Sequence, residues 1–246
     1  MKIVNYISLI SLLSFSSGIV IAANDTDGNS SPAIAIDSLV KFADKNNSAY
    51  ISIINSGKTD AYISTKMAEI KVENNKLVKK LLNVKNMSNW KLFLNPSKLI
   101  IRAGEEKKIK VSYKCGSKCN ITKDLVYQIP ITPVPYNDEK GVSSVSMAFG
   151  FSPYFIIPAT KSQVDYDYTI KNNRLNITNK GNTYINAVIS VCQKEQKNDC
   201  IYEYKVLSGR NMDFKLPNEM IRKGSGLMTV VNYDQSYRKT DKVYFN

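Results

Sequence analysis

Asn95-Pro96-Ser97-Lys98-Leu99-Ile100-Ile101-Arg102-Ala103-Gly104-Glu105-Glu106-Lys107-Lys108-Ile109-Lys110-Val111 is the stretch on which the fold class turns. Residues 99–101 and 109–113 are apolar or alternating runs on either side of Ala103-Gly104-Glu105-Glu106, a hairpin-like connection. The same grammar recurs outward. Residues 49–54 read as a strand followed by the turn Asn55-Ser56-Gly57, and 61–72 continue in the same manner up to the turn at Asn74-Asn75. Residues 125–131 form another run, closed by Pro133 and Pro135, and 142–157 form an unusually long extended segment. After Pro158-Ala159-Thr160-Lys161-Ser162, which reads as a linker, strand patterns restart at 166–170, 174–178, 184–191, 202–206, 227–232 and 242–245. No amphipathic helix of useful length separates them, although 76–89 could carry a short helical piece. Short strands without intervening helices predict an all-β chain of two immunoglobulin-like sandwiches rather than a parallel sheet.

The N-terminus has a different character. Met1 and Lys2 precede an apolar run that ends at Ala22 and Ala23, the layout of a cleavable export signal over 1–23, cut near Ala22 or Ala23. Six small residues, from Ser8 to Gly18, break this run too often for a comfortable membrane span. The remainder suits two domains, 24–158 and 159–246. In an exported chain, Cys115 with Cys119 and Cys192 with Cys200 read as two local disulfides. A zinc site would need all four to converge, and their spacings are not those of zinc ligands. Neither a metal nor a cofactor is expected.

The formal charge is +13, with lysine and arginine spread along the chain rather than gathered into a nucleic-acid-binding arm. Histidine is absent, which removes the usual general base and the Ser-His and Cys-His pairs. No phosphate-binding glycine loop or nucleophile elbow occurs. The expected activity is binding, not catalysis.

The stretch 95–111 resembles a segment of the PapD-like periplasmic chaperones of the chaperone–usher pathway. Leu125-Val126-Tyr127-Gln128-Ile129-Pro130-Ile131 is similar to a second strand of that family, and 142–157, closed by Pro158, to its long strand at the domain junction. Leu175-Asn176-Ile177-Thr178-Asn179-Lys180-Gly181-Asn182 is similar to a segment of its second domain. The Cys192 and Cys200 pair resembles that of the alternate branch, which serves class 5 and common pili. In such proteins two sandwiches are set at an angle, and the long strand is lent to a pilus subunit that lacks one of its own.

The resemblance implies a periplasmic protein whose partners are pilus subunits, both pilin and adhesin, and an outer-membrane usher, with no nucleic acid and no stable membrane insertion. Strand addition needs an extended segment with apolar residues at every second position. Val145, Met147, Phe149 and Phe151 supply that row, and Ser144, Ser146, Ala148 and Gly150 the opposite one. Counted from Pro158, this parity stands one residue out of step with better-known members, a step that a bulge would restore. Those members grip the subunit's terminal carboxylate with an arginine and a lysine. Here Pro153 stands at the lysine position and Leu39 or Val40 near the arginine position. Lys41, Arg102 and Lys161 are the candidate replacements. The competing reading is a pilus structural or adhesin subunit. Such a subunit should carry an N-terminal apolar donor extension, whereas 24–31 is polar.

Overall fold

The computed structural model describes residues 32–116, 119–135, 149–192 and 200–245. The first sandwich contains strands β1 (Ile34–Ile36), β2 (Val40–Phe42), β3 (Ser48–Asn55), β4 (Ala61–Thr65), β5 (Met67–Glu73), β6 (Lys76–Leu82), β7 (Leu92–Asn95), β8 (Lys98–Ile101), β9 (Glu106–Tyr113), β10 (Leu125–Gln128), β11 (Ile131–Pro135) and β12 (Tyr154–Ile157). One face is the sheet β1-β3-β9-β7. The other consists of β2-β12-β10-β5-β6 and, beyond it, β11-β4-β8. These last two are parts of one curved surface. Ala68 lies opposite Gln128, and three residues on from Gln128 and three back from Ala68, Ile131 lies opposite Thr65, so the register carries through without a bulge. The bonding is interrupted at Pro130, which has no N–H to give. Its carbonyl still accepts from Lys66 N at 3.0 Å.

Alternation drives this packing. In β9, Ile109, Val111 and Tyr113 are buried while Glu106, Lys108 and Lys110 face water. With Ile51, Ile53, Ile63, Leu92, Ile101, Ile129, Phe155 and Ile157 they form the first core. The hairpin read from 99–111 is present as β8 and β9, but the two strands pair with different neighbours. β8 pairs with β4 and β9 with β3, so the connection crosses from one sheet to the other. The run 61–72 is divided between β4 and β5 at Lys66. Pro133 lies inside β11, and Pro135 is its last residue. Residues 76–89 begin as strand β6 and only then form a 3-10 helix, Val84–Asn89. The Asn74-Asn75 turn explains the strand. Both residues take positive φ, 49° and 62°, and the two-residue turn folds 76–82 straight back on β5.

The second sandwich contains β13 (Tyr166–Lys171), β14 (Arg174–Asn179), β15 (Ile185–Ser190), β16 (Ile201–Val206), β17 (Asn211–Lys215), β18 (Ser225–Asn232) and β19 (Arg238–Tyr244), with one short helix, α1 (Asn218–Arg222). β17 went unrecognised in the sequence, because a single Met212-Asp213-Phe214 alternation is weak. The sheets are β13-β14-β17 and β16-β15-β18-β19, closed over Leu175, Ile177, Ile185, Ile189, Val206, Leu216, Met220 and Val230. Disulfides join Cys115 to Cys119 and Cys192 to Cys200, with Cα atoms 5.3 Å and 4.9 Å apart. No helix among the described residues is long and apolar enough to cross a membrane.

A third apolar cluster joins the two bodies. Ile70, Val126 and Ile156 from the first meet Tyr184 of the second, with Val40, Phe42, Tyr154, Leu207 and Tyr233 around them. The Phe42 ring lies edge-on to Tyr184 at 5.1 Å. Beside this cluster Asp124 is buried, with 8% of its surface exposed. Its carboxylate accepts from Ala159 N (2.8 Å), Tyr184 N (2.7 Å) and Thr183 Oγ1 (3.2 Å), while its own N–H donates to Asn182 O. One side chain thus ties the start of β10 to the linker and to the second sandwich. Burial holds its carboxyl above the usual carboxylate range despite these donors.

Asp124→Asn places an NH2 group against one of these backbone donors. It should cost about 1–3 kcal/mol of stability at neutral pH, read by denaturant unfolding. The raised acid also predicts a sign. The native state holds the proton more tightly than the unfolded chain, so this group's contribution falls as pH rises from about 4, an ordinary aspartate value, through its raised native value. The difference between parent and Asp124→Asn should carry that slope.

Candidate functional site

The site follows from the course of 149–157. β12 is held on both flanks, antiparallel to β10 and parallel to β2. Leu125 lies opposite Ile157, Gln128 opposite Tyr154, and the register reaches Ile131 opposite Phe151 with no residue inserted. No bulge therefore corrects the parity between Phe151 and Ile157. Odd-numbered residues face the first core: Phe155 and Ile157 are fully buried, and Phe151 is packed against the same cluster. Even-numbered Tyr154 and Ile156 face the second sandwich.

Bonding thins out toward the tip. Phe151 exchanges two bonds with Ile131, at 2.7 Å and 3.0 Å. Pro153 accepts from Ile129 N at 2.9 Å but has no N–H to return. Continuing the register would set Phe149 opposite Pro133, which has none either. Gly150 lies so close to the neighbouring strand that a Cβ there would meet Ile131 O at 2.9 Å.

Along the opposite edge no strand pairs with 150–152 among the described residues. β2 covers the ladder only from Tyr154, whose N–H donates to Leu39 O. The peptide groups of Gly150 and Ser152 point to that uncovered side by alternation, and no backbone partner for them occurs among the described residues. Phe149 keeps the core-facing parity of Phe151 and Phe155, yet is 77% exposed. Val145 and Met147 lie outside the described residues.

The three candidate anchors do not converge. Lys41 is on β2 and pairs with Asp37 at 2.5 Å. Arg102 follows β8 at the end of the sandwich away from the junction, where Ile101 lies opposite Ala61 and Ala61 opposite Pro135. Lys161 is on the linker, its carbonyl held by Asn182 Nδ2 at 2.9 Å.

Two cations that sequence reasoning did not single out stand at the cleft between the sandwiches. A hollow of about 220 Å³ is lined by Val40, Leu77, Tyr154, Ile156, Tyr184 and Leu207, with Lys205 and Arg210 at its rim. Arg210 Nη1 donates to Asn75 O at 2.7 Å across the junction, and Lys205 pairs with Glu203 at 3.2 Å. Only the fold brings these distant residues together, so no local motif could have marked them. No metal-holding group of three or more His, Cys, Asp or Glu occurs among the described residues.

Residues 36–158 match the family model described as the CS5 fimbrial protein N-terminal domain. An Escherichia coli relative, the uncharacterized 25.9 kDa protein in the CS5 3′ region, is 25% identical over 172 residues, covering 68% of this chain and 74% of the relative. Among solved structures, the class 5 fimbriae chaperone CfaA is 14% identical with a TM-score of 0.50, over 85% of this chain and 98% of that one. A chain of the CsuC–CsuE chaperone–tip adhesion subunit complex of Acinetobacter baumannii also gives 14% and 0.50, over 85% and 97%. These likenesses establish the all-β, two-domain fold of the fimbrial chaperones.

Amide exchange checks the open edge. The Phe151 N–H should be protected, and those of Gly150 and Ser152 should exchange at least about tenfold faster. Equal protection at all three would mean that the edge is covered.

Proposed function

This chain belongs to the family of the CS5 fimbrial protein N-terminal domain, and from that membership we propose that it is a periplasmic chaperone for pilus subunits. It holds an incomplete subunit by lending the strand that begins near residue 142 and passes it to an outer-membrane usher. In this reading 24–158 form the lending domain and 159–246 its companion, and the protein acts by binding rather than by catalysis. Periplasmic location follows from the export signal read at 1–23.

The observation that carries the proposal is Phe149: core-facing in parity, exposed in fact, beside an edge whose peptide groups are uncovered. An arriving strand would satisfy Gly150 and Ser152, and a subunit's open groove would take Phe149 together with Met147 and Val145. Burial of each such side chain contributes about 1.5–3 kcal/mol, enough in sum to offset the ordering of a short strand. A subunit's terminal carboxylate needs a cation or several N–H donors. Lys41, Arg102 and Lys161 remain candidates. The cleft hollow rimmed by Lys205 and Arg210 offers an apolar floor as well as charge, which favours it over the three dispersed residues.

Co-expression with a candidate pilus subunit should yield a soluble one-to-one complex. Met147→Glu/Phe149→Glu should abolish it while leaving the melting temperature of the free protein within a few degrees, because Phe149 is exposed in the free chain. A complex that survives the double substitution would remove this segment from the role.

A further inference from the structure

β6 lies at the other edge of the same sheet, with β5 on one side and no strand on the other among the described residues. Edge strands are usually short, bulged, interrupted by proline or guarded by charge. β6 runs for seven residues, pairs without a slip from Lys76 opposite Glu73 to Leu82 opposite Met67, and has no proline. Because a two-residue turn closes the hairpin, Lys76, Val78, Lys80 and Leu82 spend their peptide groups on β5. Those of Leu77, Lys79 and Leu81 point outward.

The side chains on this edge are both apolar and basic. Leu77, Val78 and Leu81 are 41%, 42% and 52% exposed, and Val84 and Met87 of the following 3-10 helix continue the apolar surface. Leu77 also lines the cleft hollow, so the strip runs into the junction. From Asn74 to Gly104 there is no aspartate or glutamate, while Lys76, Lys79, Lys80, Lys85, Lys91, Lys98 and Arg102 all lie in that span. Lysine alone would be a guard. Lysine interleaved with exposed leucine on a straight, unbulged edge also matches a strand of complementary pattern. A second copy of this chain does not match, since antiparallel pairing of β6 with itself would set lysine against lysine in a protein of net charge +13.

We propose that the outer edge of β6 is a docking edge for an extended protein segment that alternates apolar with acidic residues. The segment adds a strand to β6 through the peptide groups of Leu77, Lys79 and Leu81, sets its carboxylates against Lys76 and Lys80 on one face, and covers Leu77 and Leu81 with its apolar row on the other. This edge is separate from the one at Gly150 and Ser152 and does not depend on the role assigned there.

The test uses isotope-labelled protein titrated with an eight-residue peptide alternating valine and glutamate, and with its valine–lysine counterpart. The glutamate peptide should shift the amides of Leu77, Lys79 and Leu81 and bind at least about tenfold more tightly than the lysine peptide, the gap narrowing with salt. Lys76→Glu/Lys80→Glu should reverse the preference. Lys79→Pro, which removes an outward N–H and leaves the β5 ladder untouched, should weaken both peptides. Equal affinity for the two peptides would overturn the proposal, as would shifts at Gly150 and Ser152 instead of β6. So would a β6-dependent dimer in sedimentation, or shifts produced only by vesicles containing phosphatidylglycerol.

Discussion

A β-strand is stable when its peptide groups are paired, and the segment 149–157 is paired unevenly. From Tyr154 to Ile157 it has β10 on one side and β2 on the other. At Pro153 one bond of a pair is missing, at Phe151 only one flank is bonded, and at Gly150 no backbone partner is described. Each loss has a chemical cause, because Pro153 and Pro133 lack the donor their positions would use and β2 is too short to follow. The side chains do not follow the same gradient. The parity that buries Ile157 and Phe155 continues without a bulge to Phe151, and Phe149, two residues further, is exposed. A row built for a core therefore extends beyond the core available to it, alongside an unpaired edge.

The fold was largely legible because its code is local. Alternation at 109–113, 174–178 and 185–190 names strands directly, and the paired asparagines at 74–75 and 172–173 mark the turns, all four at positive φ. What stayed hidden was whatever depended on which strand meets which. Residues 99–111 read as a simple hairpin, yet β8 and β9 lie in different sheets, because the connection at Gly104 turns the chain over the edge of the sandwich. Residues 76–82 looked ambiguous because Lys76-Leu77-Val78-Lys79-Lys80-Leu81-Leu82 follows neither period cleanly. The turn before it, not its own pattern, makes it a strand.

The candidate site was legible in its apolar pattern rather than in its charges. The row through Phe149 and Phe151 is visible in the sequence, and the structure adds that Phe151 packs on the first core, that Phe149 is exposed, and that no strand flanks its outer edge among the described residues. Which cations lie near one another was not readable. Lys41, Arg102 and Lys161 were singled out one by one, and the structure disperses them to a strand edge, a tip and the linker. Lys205 and Arg210 lie far along the chain and reach the cleft only because β16 and β17 end there. An apolar row is a local pattern, whereas a pair of cations around a hollow is a property of tertiary contact.

The buried carboxylate at the junction completes this logic. Asp124 immediately precedes β10, the strand that holds 154–157 in place, and through Ala159, Thr183 and Tyr184 it fixes β10 to the linker and the second sandwich. The apolar cluster around Ile156 and Tyr184 secures the same end. One ladder therefore has a fully bonded base, tied down by a carboxylate that burial makes costly to leave unpaired, and a tip where Pro133 and Pro153 lack a donor and β2 no longer reaches. Bonding at the base fixes the register of the tip, whose outer edge has no partner among the described residues. A segment loose along its whole length would lose more entropy on ordering, and one bonded along its whole length would have nothing left to offer.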